Sequence, residues 1–169
     1  MWLKLYMACS TTCKQCTSKN SSTGHRCKNK TSKWSPKCHV HREVEIKPST
    51  LGPNSGKGVF AIKDLKRNTI VGNYKIGTKK MSSPELDKHY PGDTLAEYVW
   101  SAPGNTEHYD ARQKPRPVAA MFNACREADK RRLGCKKKAK ISGEGLVVLN
   151  QGVKKGEEIF IGYGNNYFK

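Results

Sequence analysis

Five of the seven cysteines fall before residue 40, inside a leader (residues 1–43) rich in Lys, Ser and Thr and poor in aliphatic side chains. Such a stretch cannot bury enough apolar surface to fold unaided, so something other than a core must hold it. An odd number of cysteines crowded at one end does not suit a disulfide framework, which is paired and more evenly spread. The expectation is reduced cysteines holding metal, in a nucleus, viral factory or virion rather than a secreted setting. Met1 to Ser10 is apolar but carries Lys4 in its middle, whereas a secretory signal places its charge first, so no signal peptide is expected. No run approaches the roughly 18 apolar residues of a membrane span, so no membrane partner is expected.

The spacing of the ligand-type residues is regular. Ten residues separate Cys16 from Cys27, ten separate Cys27 from Cys38, and two separate Cys38 from His41. A two-residue gap lets a Cys and a His grip one ion from a single turn. Three thiolates and one imidazole make a closed tetrahedral site for Zn2+, structural rather than catalytic. Gly24 permits a tight approach ahead of Cys27. Cys9 and Cys13 leave the set open: Cys13 can replace Cys16, or both can be spare thiols. The plain alternative is a disordered basic leader with incidental cysteines. The segment CTSKNSSTGHRCKNKTSKWSPKCHVH also resembles a small zinc-binding module of plant and large-DNA-virus proteins. In that module a Cys precedes a Lys- and Gly-containing loop, an Arg-Cys pair and a final Cys-x-x-His.

Charge constrains the partner. Lys and Arg number 32 against 14 Asp and Glu, a net charge of +18, which points to nucleic acid, chromatin or an acidic protein. The cations concentrate in READKRRLGCKKKAK, as Arg126, Lys130, Arg131, Arg132, Lys136, Lys137, Lys138 and Lys140. A solvated hairpin with snorkelling lysines and an import-type basic cluster are two readings. The overall charge favours a third, a phosphate-contacting surface for DNA or a nucleosome. The leader adds Lys28, Lys30, Lys33 and Lys37, with Trp34 among them to stack on a base or pack in the zinc module.

The length suits one domain with an appendage: a zinc-binding module over 1–43 and a domain over 44–169. Oligomeric state stays open, a homodimer included. In the larger part, short β-branched runs alternate with Gly, Pro and Asn, so the fold class is mostly β. LVVL and EIFIGY are the clearest strands. SPELDKHY predicts a helical turn with Ser83 as cap and Pro84 first inside. LAEYVWSA reads equally as strand or short helix.

Two motifs carry chemistry. Gly56-Lys57-Gly58-Val59-Phe60 puts two glycines just ahead of a strand, where backbone amides can approach a ligand. Near the other end, Tyr163 lies between Gly162 and Gly164, which can present its hydroxyl in a cleft. An ordinary turn and a strand-ending Tyr are the plain alternatives.

Taken in order, three segments resemble the SET-domain family of protein lysine methyltransferases. GKGVFAIKDLKRNTIVGNYKIG resembles that family's first motif. EHYDARQKPRPVAAMFNA resembles its Asp-Ala segment running into Arg-Phe-x-Asn-His. GEEIFIGYGNNYF resembles its Gly-Glu-Glu-Leu-x-x-x-Tyr-Gly ending. The compactness is similar to minimal viral SET proteins. The resemblance implies small curved sheets with a C-terminal pseudoknot, and S-adenosylmethionine-dependent methylation of a lysine in a histone or other basic protein. It implies a catalytic Tyr163, with Tyr98 and Tyr109 as channel walls, core packing being their plainer role. Cofactor contacts would come from Gly56, Lys57, Gly58, Val59, Phe60, Asn123, Ala124 and Tyr167, with Phe168 beside Tyr167. The family's Arg aligns with Ala120 and its His with Ala124, and Cys125-Arg126-Glu127-Ala128-Asp129 replaces its Ser-Cys-x-Pro-Asn. Those departures motivate a rival reading, a SET-like scaffold without catalysis that binds DNA or nucleosomes.

Overall fold

Strands too short to form one broad sheet are what runs of three to five β-forming residues between turns should give, and the protein builds small sheets from them. The computed structural model describes residues 15–20, 22–31, 37–38, 41–92, 98–113 and 116–162. The chain divides into two units, Met1–Arg42 and Glu43–Lys169.

In the larger unit β1 (Val44–Pro48) pairs antiparallel with β2 (Lys57–Ala61). β3 (Ile70–Asn73), β7 (Lys137–Ile141), β8 (Leu146–Leu149) and β9 (Phe160–Ile161) form a second sheet in the order β3-β8-β7-β9. β4 (Lys79–Met81), β5 (Val99–Ser101) and β6 (His108–Asp110) form a third, in the order β4-β6-β5. Two α-helices are described, α1 (Ser83–His89) and α2 (Glu127–Leu133). The core joins the inward residues of these sheets, among them Val59, Ala61, Val71, Val147, Leu149, Ile159 and Ile161, with Phe122. Trp100 bridges Tyr74 and Tyr109, at 6.3 and 5.5 Å between ring centroids. No described helix is long and apolar enough to cross a membrane.

The chain end determines where the site falls. Residues 157–159 run along β2, with the Ala61 amide donating to Glu157 O at 3.0 Å and the Ile159 amide to Val59 O at 2.8 Å. One residue later the segment changes partners. β9 lies parallel to β7, and Ile161 bridges Ala124, its amide donating to Asn123 O at 3.0 Å. The late strand therefore threads between residues 123–124 and β7, the tucked ending expected of a SET fold. This also explains why the EIFIGY run yields only two residues of regular strand.

Two local expectations shift. α1 is capped one residue earlier, at Ser82, whose amide and hydroxyl both donate to Glu85 at 2.8 and 2.9 Å. Ser83 Oγ instead donates to Asn105 O at 2.8 Å. LAEYVWSA resolves as strand at Val99–Ser101, residues 95–97 lying outside the described residues.

The cysteines correct a third expectation. Cys125 and Cys135 form a disulfide, so the chain is not reduced throughout. α2 makes this possible: it turns the chain back, ends at left-handed Gly134 (φ 65°), and leaves the two Cα atoms 5.9 Å apart. The disulfide packs with Leu51 and with Phe160 of β9 in a small second core.

Candidate active site and Cys3His cluster

In the smaller unit, the described residues 15–20 and 22–30 pair as a hairpin. Gln15 bridges Lys30 and Lys19 bridges Arg26, while Gly24 takes the left-handed conformation (φ 67°) in the turn. The Arg26 guanidinium donates to Cys16 O and Gln15 O, both at 2.8 Å, fixing the strand that carries the first thiol. The amides of His41 and Arg42 both return to Cys38 O at 3.0 Å, the tight turn that the Cys-x-x-His step requires. Together these bring Cys16, Cys27, Cys38 and His41 into one cluster, their ligand atoms all within 4.8 Å of one another. His41 Nδ1 lies 3.3 Å from Cys38 Sγ and 3.6 Å from Cys16 Sγ, and Cys27 Sγ lies 4.0 Å from Cys38 Sγ. A tetrahedral zinc site has edges of about 3.8 Å between sulfurs and about 3.5 Å between sulfur and nitrogen, so the donor set fits that ion.

The local electrostatics favour thiolate at one corner. Burial pushes the Cys16 thiol up, but the Cys38 amide, Ser18 and His41 more than offset it, and its pKa falls to about 6. His41 is pushed up, first by Cys38 and then by Cys16. Cys9, Cys13, Lys33 and Trp34 lie outside the described residues.

In the larger unit the three sequence motifs meet at one carboxylate. Glu158 is buried. Its Oε1 accepts from Ser49 Oγ at 2.8 Å and Asn123 Nδ2 at 3.1 Å. Its Oε2 accepts from the Thr50 amide at 2.7 Å and Thr50 Oγ1 at 2.6 Å. Four donors fill the lone-pair positions of both oxygens, which offsets the cost of burying the group. Asn123 Nδ2 donates also to Lys57 O at 3.1 Å. Gly58 is glycine for a steric reason: a Cβ there would overlap Glu158 Oε1. Gly56, left-handed at φ 62°, has nothing within 4 Å of where its Cβ would stand, so the hook opens outward at that residue.

This gathers the expected cofactor residues Gly56, Lys57, Gly58 and Asn123, with Val59 and Phe60 continuing β2 and Ala124 paired to Ile161. Ala120 and Ala124 are both buried. Sequence reasoning missed Glu158, Ser49 and Thr50. The available signal was an acidic residue leading the apolar run IFI, where a charge demands a partner.

The remaining expected residues are placed as follows. Tyr163, Tyr167 and Phe168 lie outside the described residues, whose last stretch ends at Gly162. Tyr109 sits in the core, its hydroxyl donating to Glu107 at 2.8 Å, a bond that holds its pKa above the ordinary phenol value. Tyr98 is half-buried and left-handed (φ 64°), with the Arg116 guanidinium stacked 3.8 Å over its ring. In the basic cluster, Arg132, exposed, donates to Leu51 O at 2.9 Å, and Lys138 pairs with Glu157 at 2.7 Å. Lys130 lies 3.8 Å from Glu127. Arg126 immediately precedes α2, and Arg131, Lys136 and Lys137 are exposed around the disulfide loop, with Lys140 beyond them.

The model of the SET domain matches residues 56–164, well over half of the chain. The chain belongs to the SET-domain family. That family's members are protein lysine methyltransferases. No curated protein matches the chain. Among solved structures, 175 chains match. One is a candidate histone methyltransferase of Plasmodium falciparum, 19% identical, with a TM-score of 0.49 over 76% of this chain and 99% of that one. The network at Glu158 thus lies in the SET unit, between the first, middle and last of the motifs by which the family resemblance was read.

Proposed function

We propose that the protein is an S-adenosylmethionine-dependent protein lysine methyltransferase whose substrate is a lysine of a histone or other chromatin or virion protein. One observation carries the reading: the Gly58 hook, Asn123 and the segment leading to Tyr163 share one hydrogen-bonded network. S-adenosylmethionine, when bound, supplies a methyl group on a sulfonium. Gly56 to Phe60, Asn123, Ala124 and Tyr167 would hold it, the hook leaving room at Gly56.

Methyl transfer to an amine is an in-line displacement that needs alignment more than acid or base strength. A free lysine has a pKa of about 10.4, so only about one in two thousand is neutral at pH 7. A narrow aromatic channel raises the neutral fraction by disfavouring the charged form. Tyr163 would orient the amine there through its hydroxyl. A basic enzyme repels a basic substrate, so a polyanion joining the two resolves the conflict. Arg126, Lys130, Arg131, Lys136 and Lys137 would dock on DNA or a nucleosome, while Arg132 and Lys138 hold the loop. The Cys3His cluster would hold a structural Zn2+ with no open position for catalysis.

The test is methyl incorporation from labelled cofactor into free histones and nucleosomes. The expected result is incorporation, higher on nucleosomes at low salt, and lost in Tyr163→Phe. Buried alanines at positions 120 and 124, where the family places Arg and His, favour a second reading, a DNA-binding scaffold without catalysis. Salt-dependent DNA binding with no cofactor binding by calorimetry would establish that one.

A further inference from the structure

We infer that Glu158 is a positioning residue for the cofactor pocket, acting through Asn123; this rests on the methyltransferase reading. The carboxylate faces only donors, and Asn123 sits between two acceptors, Glu158 Oε1 and Lys57 O, each 3.1 Å from Nδ2. Both hydrogens of that amide are committed within the protein. Its orientation is fixed, because a flipped amide would turn its oxygen against two acceptors. Oδ1 is left pointing away as an acceptor for a ligand's N–H group. The family's neighbouring His, which could share this work, is Ala124 here. The second oxygen of Glu158 ties the Ser49–Thr50 turn to the same hook, and Gly58 leaves the carboxylate the space it occupies. A buried carboxyl group with four neutral donors and no ion pair among the described residues is set up to hold dipoles in place.

Glu158→Gln is the decisive change. Its amide nitrogen must face either the Thr50 amide or Asn123 Nδ2. The Thr50 amide cannot reverse its polarity, and Asn123 can do so only by flipping its oxygen against Lys57 O, whereas the Ser49 and Thr50 hydroxyls can rotate to accept. Either a fixed donor is left facing a donor or Asn123 loses its orientation. S-adenosylmethionine and S-adenosylhomocysteine binding are measured by calorimetry on the full zinc-loaded chain. Glu158→Gln should weaken both by about ten- to a hundredfold. In an Asn123→Ala background the same change should cost less than about twofold, because its route is already gone. Should Glu158→Gln fail to fold, Thr50→Val removes one hydroxyl from the far oxygen without changing shape. It should weaken binding about three- to tenfold.

Equal losses in both backgrounds would make Glu158 a general support and overturn the inference. So would unchanged affinity in a folded Glu158→Gln or Thr50→Val protein. No binding by the wild-type chain would instead remove the methyltransferase reading beneath it, a distinguishable result.

Discussion

The two units solve the same problem, holding a short chain in one shape, by different means. Residues 15–42 have a hairpin, a few backbone bonds and four converging ligands, with only Cys16, Thr31 and Cys38 buried among the described residues. The described residues of 43–162 have a main apolar core and a smaller second one, three small sheets and one disulfide. In the first the Cys3His cluster takes the place of a core. In the second the polar site is an island at the core's edge. The lesson is that cysteine takes opposite forms in the two units: three free thiols gathered beside a histidine in one, two sulfurs closing a loop in the other.

The largest effect expected separates them by metal. A structural zinc in a small site contributes about 10–16 kcal/mol of binding free energy, which is also its folding free energy. Chelation, or Cys38→Ser, should collapse the backbone NMR resonances of residues 15–42 while those of the SET unit persist. Collapse of both together would show that the contrast is false.

Core truncation works the other way. Ile159 is fully buried and its amide ties the late segment to β2. Ile159→Ala should cost about 2–5 kcal/mol in denaturant melts of the SET unit. Bound zinc, measured per chain, should not change.

The disulfide is next in size. It closes a loop with a sequence separation of 10 between residues whose flanks hold β9 on both sides. Replacing Cys125 and Cys135 together by Ala should cost about 2.5–3 kcal/mol by loop-closure entropy. The paired variant is preferred to a thiol reductant, which would also compete for zinc. A melt unchanged by the double substitution would mean that packing alone holds the loop.

What the sequence disclosed follows the reach of each signal. The Cys3His cluster was legible because the chemistry of such a set constrains its spacing. Gly58 and Asn123 were legible because motif order survives the alanines beside them. α2 was not, since READKRRL has no apolar face and its exposed Leu133 gives no period to read. The disulfide depends on that helix turning the chain back, so missing one meant missing the other. Glu158 was hidden because nothing local announces its four donors, three of which lie more than a hundred residues away.

The smallest effect tests the comparison by acid. Glu157 is held below its ordinary value of 4.5, first by Lys138 and then by the Lys154 amide, and Asp64 below 3.8 by the Lys155 amide and Lys154. A carboxylate with a depressed folded pKa adds stability above its unfolded value and loses it as pH falls through the folded one. The melting temperature of the SET unit should therefore hold at neutral pH and decline below about pH 4.5, with no metal released by that unit. Glu157→Gln should lower the unfolding free energy at pH 7 by the worth of a part-exposed pair, less than about 1 kcal/mol. Below both pKa values, variant and wild type should converge, because the protonated carboxyl and the amide are then alike in charge. Parallel curves that never converge would show that Glu157 contributes through packing rather than charge, and that the edge of the SET unit, like its centre, is held by contact alone.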